Sequence, residues 1–161
     1  MKEKVKVYFL LSLLSFSSCE DMSSTTFLGI VNNESGHSIK IIPYKEGKIK
    51  ESAIVILING EQYQGTYYSE RGILGDSPLN LEFIYDTDSI IVTFDDTIKA
   101  FHYTEFNENP YNRFYNRESD RSLYNIKSYE KDIKDLSKKE RKVNYVYTFS
   151  IDDYLDALSV H

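Results

Sequence analysis

At 161 residues, with 19 basic and 25 acidic side chains, the chain carries a formal charge of −6 and has the length of one domain. The acidic balance argues against nucleic acid as a partner, because phosphate neutralisation needs clustered Lys and Arg, and against adsorption to an anionic bilayer by charge alone. A single cysteine forbids an intramolecular disulfide, and 14 Tyr and 9 Phe without any Trp leave tyrosine as the stacking face of any glycan site.

Residues 1–18 have the three features of an export signal: a basic start (Lys2, Lys4, Lys6), a short apolar run from Val7 to Leu14, and small residues ahead of a cut. The run is too short for a membrane-spanning helix, which needs about 20 residues. Phe16-Ser17-Ser18-Cys19 resembles the lipobox of bacterial lipoproteins, with Phe where Leu is usual. The resemblance implies cleavage before Cys19, lipidation of that residue, and an anchor of several acyl chains, which holds stably where one chain does not. The alternative is an ordinary signal peptide with an incidental cysteine.

Removal of residues 1–18 takes away three lysines and one glutamate, which moves the formal charge from −6 to −8. Glu20 and Asp21, directly behind the cysteine, resemble the surface-export signal of lipoproteins from Bacteroidota. The Ile-, Lys-, Asn- and Tyr-heavy composition fits an A+T-rich genome of that kind. The expected location is therefore the outer membrane, with its outer face as the finer expectation. Residues 19–25 read as a lipidated polar tether and 26–161 as the folded domain.

From Thr26 onward, short apolar strands alternate with turn signals, the pattern of an all-β sandwich. Thr26–Asn32 and His37–Tyr44 are predicted to form a hairpin across Asn33-Glu34-Ser35-Gly36, with Gly36 at positive φ. Ser52–Ile58 is almost wholly apolar and reads as a central strand covered on both faces. Asn59-Gly60 then leads by a tight turn into Glu61–Tyr68. Arg71–Pro78 reads as a loop, Leu79–Tyr85 as an alternating strand, and Ser89–Phe94 with Thr97–Tyr103 as a hairpin turning at Asp95-Asp96.

Residues 104–142 break the rhythm. Thr104–Asp120 is polar and irregular, and Glu130–Lys142 has charge pairs at helical spacing (Glu130 with Lys134, Asp135 with Lys139), which predicts a short surface helix. Val143–Phe149 returns to strand with Val143, Tyr145, Tyr147 and Phe149 on one face. Ser150-Ile151-Asp152-Asp153 is a capping box opening a helix to Leu158. Without the excursion, the domain is near the ~100 residues of an immunoglobulin-like fold. The expected architecture is an all-β, immunoglobulin-like antiparallel β-sandwich of about seven or eight strands, with a short C-terminal helix and a helical or irregular excursion before the last strand. Lipobox, Ile-rich strands and the Ser-Ile-Asp-Asp-Tyr cap together resemble small Bacteroidota lipoproteins of unassigned function, which implies location and fold but no catalytic residue.

Chemistry is sparsely signalled. His37, His102 and His161 form no metal-ligand spacing, and with Cys19 lipidated no thiol nucleophile remains; no catalytic residue, metal or cofactor is assigned. Asp86-Thr87-Asp88 starts like a calcium loop, but Ile91 stands where glycine is needed and Thr97 where a bidentate glutamate is needed. A calcium site gathered between loops from Asp86, Asp88, Asp95 and Asp96 stays open as an alternative. Asp88-Ser89-Ile90 and Asp96-Thr97-Ile98 resemble the O-glycosylation pattern of exported Bacteroidota proteins. The candidate recognition loop is the tandem Tyr111-Asn112-Arg113 and Tyr115-Asn116-Arg117, rich in the residues that dominate interfaces. The plainer reading is that Tyr111, Phe114 and Tyr115 pin a long connection. The reading leans to a non-enzymatic lipoprotein whose loops contact an envelope protein or glycan. Its alternatives are an envelope hydrolase using carboxylates such as Glu105, Glu108 and Asp120, and a purely structural envelope component.

Overall fold

The computed structural model describes residues 24–69, 81–105 and 113–160. Its strands are β1 (Ser24–Glu34), β2 (Ile39–Lys45), β3 (Lys48–Ile49), β4 (Val55–Leu57), β5 (Gln62–Ser69), β6 (Ser89–Phe94), β7 (Ile98–Tyr103), β8 (Arg113–Asn116), β9 (Glu130–Asp135) and β10 (Glu140–Ser150). One helix, α1 (Ile151–Leu158), follows β10 directly. The strands form two sheets, ordered β5-β1-β10-β9 and β3-β2-β6-β7-β8, with β4 also paired to β2. The fold is an all-β sandwich with one short C-terminal helix, as the strand pattern predicts.

The centre of the first sheet joins the two ends of the domain. β1 and β10 run parallel in unbroken register from Ser24 opposite Glu140 to Glu34 opposite Ser150. Tyr145, Tyr147 and Phe149 project from β10 into the core, almost wholly buried, against Ile39, Ile41, Ile90, Val92 and Phe94 of the facing sheet. Burying each such side chain contributes about 1.5–3 kcal/mol relative to exposure. The period-two pattern that predicts β10 is therefore the pattern that fills the core.

Several local expectations are corrected. The sheets are mixed rather than purely antiparallel, since β1 with β10 and β7 with β8 pair in parallel. The predicted hairpin from Thr26 to Tyr44 is an arch between sheets: β1 belongs to the first and β2 to the second. Gly36 does take positive φ (82°), but the turn is fixed by Asn33, whose Nδ2 donates to the carbonyls of His37 (2.8 Å) and Leu57 (2.9 Å). Asn59-Gly60 is likewise a crossing between sheets, from β4 to β5.

The apolar run at 52–58 is no central strand. It yields a 3-10 turn and the short edge strand β4, leaving Ile56 and Ile58 about 60% exposed. Leu81 and Phe83 are fully buried as the alternation implies, yet they lie on a turn. Ile84 N donates to Leu81 O (2.8 Å), and Thr87 Oγ1 donates to Ile84 O (2.9 Å). Local side-chain donors thus satisfy carbonyls that a strand would have offered to a neighbour. The hairpin at Asp95-Asp96 is as predicted, both aspartates taking positive φ. The loop expected at 71–78 lies outside the described residues.

The largest difference is at Glu130–Lys142, predicted as a helix and observed as the antiparallel β9–β10 hairpin. All six β9 residues are exposed, so no apolar helix face has anything to bury. The charges pair by strand geometry instead: Arg141 Nε meets Asp135 across the ladder (2.7 Å), and Lys134 meets Asp132 two residues away (3.2 Å).

Gly29 sits at the middle of β1, between Gly65 of β5 and Tyr145 of β10. A Cβ there would lie 2.9 Å from both Cγ and Cδ2 of the fully buried Leu81. Gly29→Ala is expected to destabilise the domain by about 1–3 kcal/mol through overpacking. Combining it with Leu81→Ala should cost less than the sum of the single changes in urea unfolding. Strict additivity would show that Leu81 is not the obstacle.

Candidate functional site

The densest polar constellation surrounds α1. Ser150 caps the helix as its sequence predicts, its N and Oγ both donating to Asp153 Oδ2 (2.8 and 3.1 Å). Asp153 also takes a two-pronged grip from Arg121, with Nε at 2.8 Å and Nη2 at 2.5 Å. The same Nη2 donates to Thr148 O (2.8 Å), and the guanidinium lies over the Tyr147 ring at 4.6 Å. Tyr147 OH in turn donates to Arg121 O (2.9 Å). One buried carboxylate thus ties helix cap, last strand and the end of the excursion together.

A second carboxylate, Asp156, receives Arg113 Nη2 (2.6 Å) and the hydroxyl of Tyr115 (2.9 Å). Tyr115 is 5% exposed, and its ring stacks on His102. Burial pushes its hydroxyl up to about 12, with Asp156 adding to the rise and Arg113 opposing it. Of the candidate recognition residues, Arg113 and Tyr115 are therefore engaged with Asp156 and tie β8 to α1. Asn116 and Arg117 line an open hollow of about 510 Å³ with Thr104, Glu118 and Ser119. Tyr111 and Asn112 lie outside the described residues, as do Cys19, Glu20 and Asp21.

His102 and His37 are both held by neighbouring groups. His102 Nδ1 accepts from Leu123 N (3.1 Å), which fixes the proton on Nε2, and that buried nitrogen has no partner among the described residues. Burial, helped by the nearby Arg121 charge, drives its pKa down to about 3. His37 stacks on Tyr154 of α1 at 3.7 Å and contacts Asp95 Oδ2 through Nδ1 (2.6 Å). The His37 contact, with the amide and hydroxyl of Ser38, holds the Asp95 carboxyl below the usual carboxylate range. His161 lies outside the described residues.

Calcium between the loops is overturned by topology. Asp86 and Asp88 precede β6 while Asp95 and Asp96 follow it, so the two pairs sit at opposite ends of one strand. Asp86 instead pairs with Lys45 (2.9 Å), and Asp88 accepts from Glu46 N. Among the described residues no group of three or more His, Cys, Asp or Glu is gathered as a metal would require. Glu105 and Asp120 are exposed, and Glu108 lies outside the described residues. Of the glycosylation-like pair, Thr97 is exposed in the β6–β7 turn while Ser89 Oγ is engaged by Asp88 (2.9 Å).

α1 also presents a face to solvent. Ile151, Leu155 and Leu158, at helical spacing, are 47%, 51% and 40% exposed, while Asp153 and Ala157 point inward. Among the described residues no helix is long and apolar enough to cross a membrane. No family model matches the chain, and no curated protein or solved structure gives a match. Sequence reading found the Ser150 cap but missed that Asp153 doubles as the Arg121 clamp and that Asp156 holds Arg113. Acidic residues on a short C-terminal helix, with arginines isolated in an irregular stretch, were the available signal.

Two outcomes follow for these anchors. Asp153→Ala removes the cap and leaves Arg121 without its main partner, so a loss of about 2–4 kcal/mol is expected by urea unfolding; a change below about 0.5 kcal/mol would refute the clamp. For His102, the unfolded chain takes up a proton near pH 6.5 while the fold refuses it until about 3. Stability therefore falls as pH drops between those values. His102→Asn keeps an acceptor for Leu123 N but cannot titrate, so the melting temperature of this variant should lose the downward slope between about pH 6.5 and 4.5. Persistence of that slope would mean another group causes it.

Proposed function

We propose that this chain is a non-enzymatic, lipid-anchored lipoprotein of the bacterial outer membrane, displayed on its outer face, whose sandwich contacts another envelope component. The observation that carries the reading is Phe16-Ser17-Ser18-Cys19, a lipobox-like tetrapeptide behind a basic and apolar leader, a few residues ahead of the strand that begins at Ser24. Glu20 and Asp21 support the outer face by their resemblance to a surface-export signal. The apolar row Ile151, Leu155 and Leu158 favours a protein over a glycan as the contacted component, since it offers aliphatic surface rather than aromatic platforms.

In cells, Cys19→Ala is expected to release the protein from the membrane fraction, and intact-cell protease should degrade wild type quickly. Ala substitution of Glu20 and Asp21 should leave the protein anchored but protected from external protease. Wild type that stays protected until the outer membrane is broken would overturn surface display. A Cys19 variant that stays membrane-bound would overturn the anchor.

A further inference from the structure

We infer that the tip of the β9–β10 hairpin is a membrane-resting surface, which settles on phosphate-bearing lipid headgroups beside the anchor. The inference rests on lipidation of Cys19 and adds a second, protein-made contact to it.

The geometry follows from the parallel pairing of β1 with β10. Ser24, where β1 begins, lies opposite Glu140, and its amide donates to Lys139 O (2.7 Å). The chain therefore enters the fold against the hairpin tip. Five peptide steps separate Cys19 from Ser24, and a fully extended chain covers at most ~3.6 Å per step. Whatever path those residues take, Ser24, hydrogen-bonded to the tip, lies within about 18 Å of the anchored residue.

Its chemistry suits that position. Residues 134–142 hold five basic side chains and two acidic ones, in a chain whose overall balance is acidic. Lys138, Lys139 and Arg141, the last paired with Asp135, border an open hollow of about 250 Å³ that Asp135 and Glu140 also line, together with Ser24 and Thr25. At the crest, Leu136 is 63% exposed, and Ile133 on the same hairpin is 51% exposed. Apolar side chains flanked by lysines are what an interfacial segment presents, the aliphatic portion entering the headgroup layer and the ammonium groups meeting phosphates. The end of the β1–β10 ladder away from the tip carries Glu34 and Asp152 instead, and α1 has no basic residue of its own. Net charge argues against adsorption only if charge is spread evenly, and residues 134–142 carry a local excess of three positive charges, five basic less two acidic.

The absence of Trp gives a direct test, because Leu136→Trp and Leu155→Trp each introduce a single indole reporter. Each variant is purified from membranes, its intact mass is checked for lipid on Cys19, and it is reconstituted into phosphatidylcholine vesicles with or without phosphatidylglycerol, using brominated lipids as quenchers. Lipidated Leu136→Trp should be quenched and blue-shifted in the anionic vesicles, and lipidated Leu155→Trp should not. Adding Lys138→Glu and Lys139→Glu should cut the quenching at position 136 by about half or more without detaching the protein. A lipidated protein with an unquenched, water-exposed indole at 136 would overturn the membrane-resting tip while leaving the anchor intact. An intact mass without lipid would overturn both.

Discussion

The domain depends on the pairing of β1 with β10. Each strand is central, flanked on its other side by an antiparallel neighbour, so losing their ladder would split the first sheet in two. The pairing also sets the positions of everything with chemical interest. It carries the chain entry to the β9–β10 tip, and it carries α1, with its cap and its two arginine-held carboxylates, to the other end. Because the partners are separated by most of the domain's length, the contact is costly in loop-closure entropy and is expected to form late in folding.

Several polar groups of the sandwich lock its connections together. Asp153 gathers Ser150 and Arg121 from separate segments, Asp156 takes both Arg113 and Tyr115 from β8, and Asn33 bridges the arch from β1 to the end of β4. Removing the donors of buried Asp153, or the acceptors of buried Asn33, leaves a desolvated group without compensation, which is why these residues matter more than their number suggests. His102 belongs to the same class: a neutral buried imidazole whose acceptor nitrogen serves a backbone amide, with its charge suppressed by burial.

Strand content was legible wherever alternation was coupled to a strong turn signal. Val143–Phe149, the Asp95-Asp96 hairpin and the Ser150 cap all read correctly because each is decided by neighbours in sequence. Sheet membership was not legible, since the turns at Gly36 and Gly60 have the same residue chemistry whether the chain pairs back or crosses to the facing sheet. Hydrophobicity misled at 52–58, where a short edge strand leaves Ile56 and Ile58 exposed. Charge spacing misled at 130–142, because the charges pair two residues apart along the strand (Asp132 with Lys134) and six apart across the hairpin (Asp135 with Arg141), not four apart as on a helix. Of the candidate recognition loop, Arg113 and Tyr115 are turned toward Asp156. Their partner lies on the C-terminal helix, far along the chain, where no local pattern points to it.

The same parallel ladder has a mechanical consequence. A load applied between the entry of β1 and the exit of β10 pulls the two strands past each other along their length, since those points lie at opposite ends of the paired segment. Every rung from Ser24–Glu140 to Glu34–Ser150 then bears the force together, whereas a hairpin pulled from its open end would unzip rung by rung. A domain held at its amino end and gripped at α1 would be loaded in shear, the direction in which this sheet resists extension most.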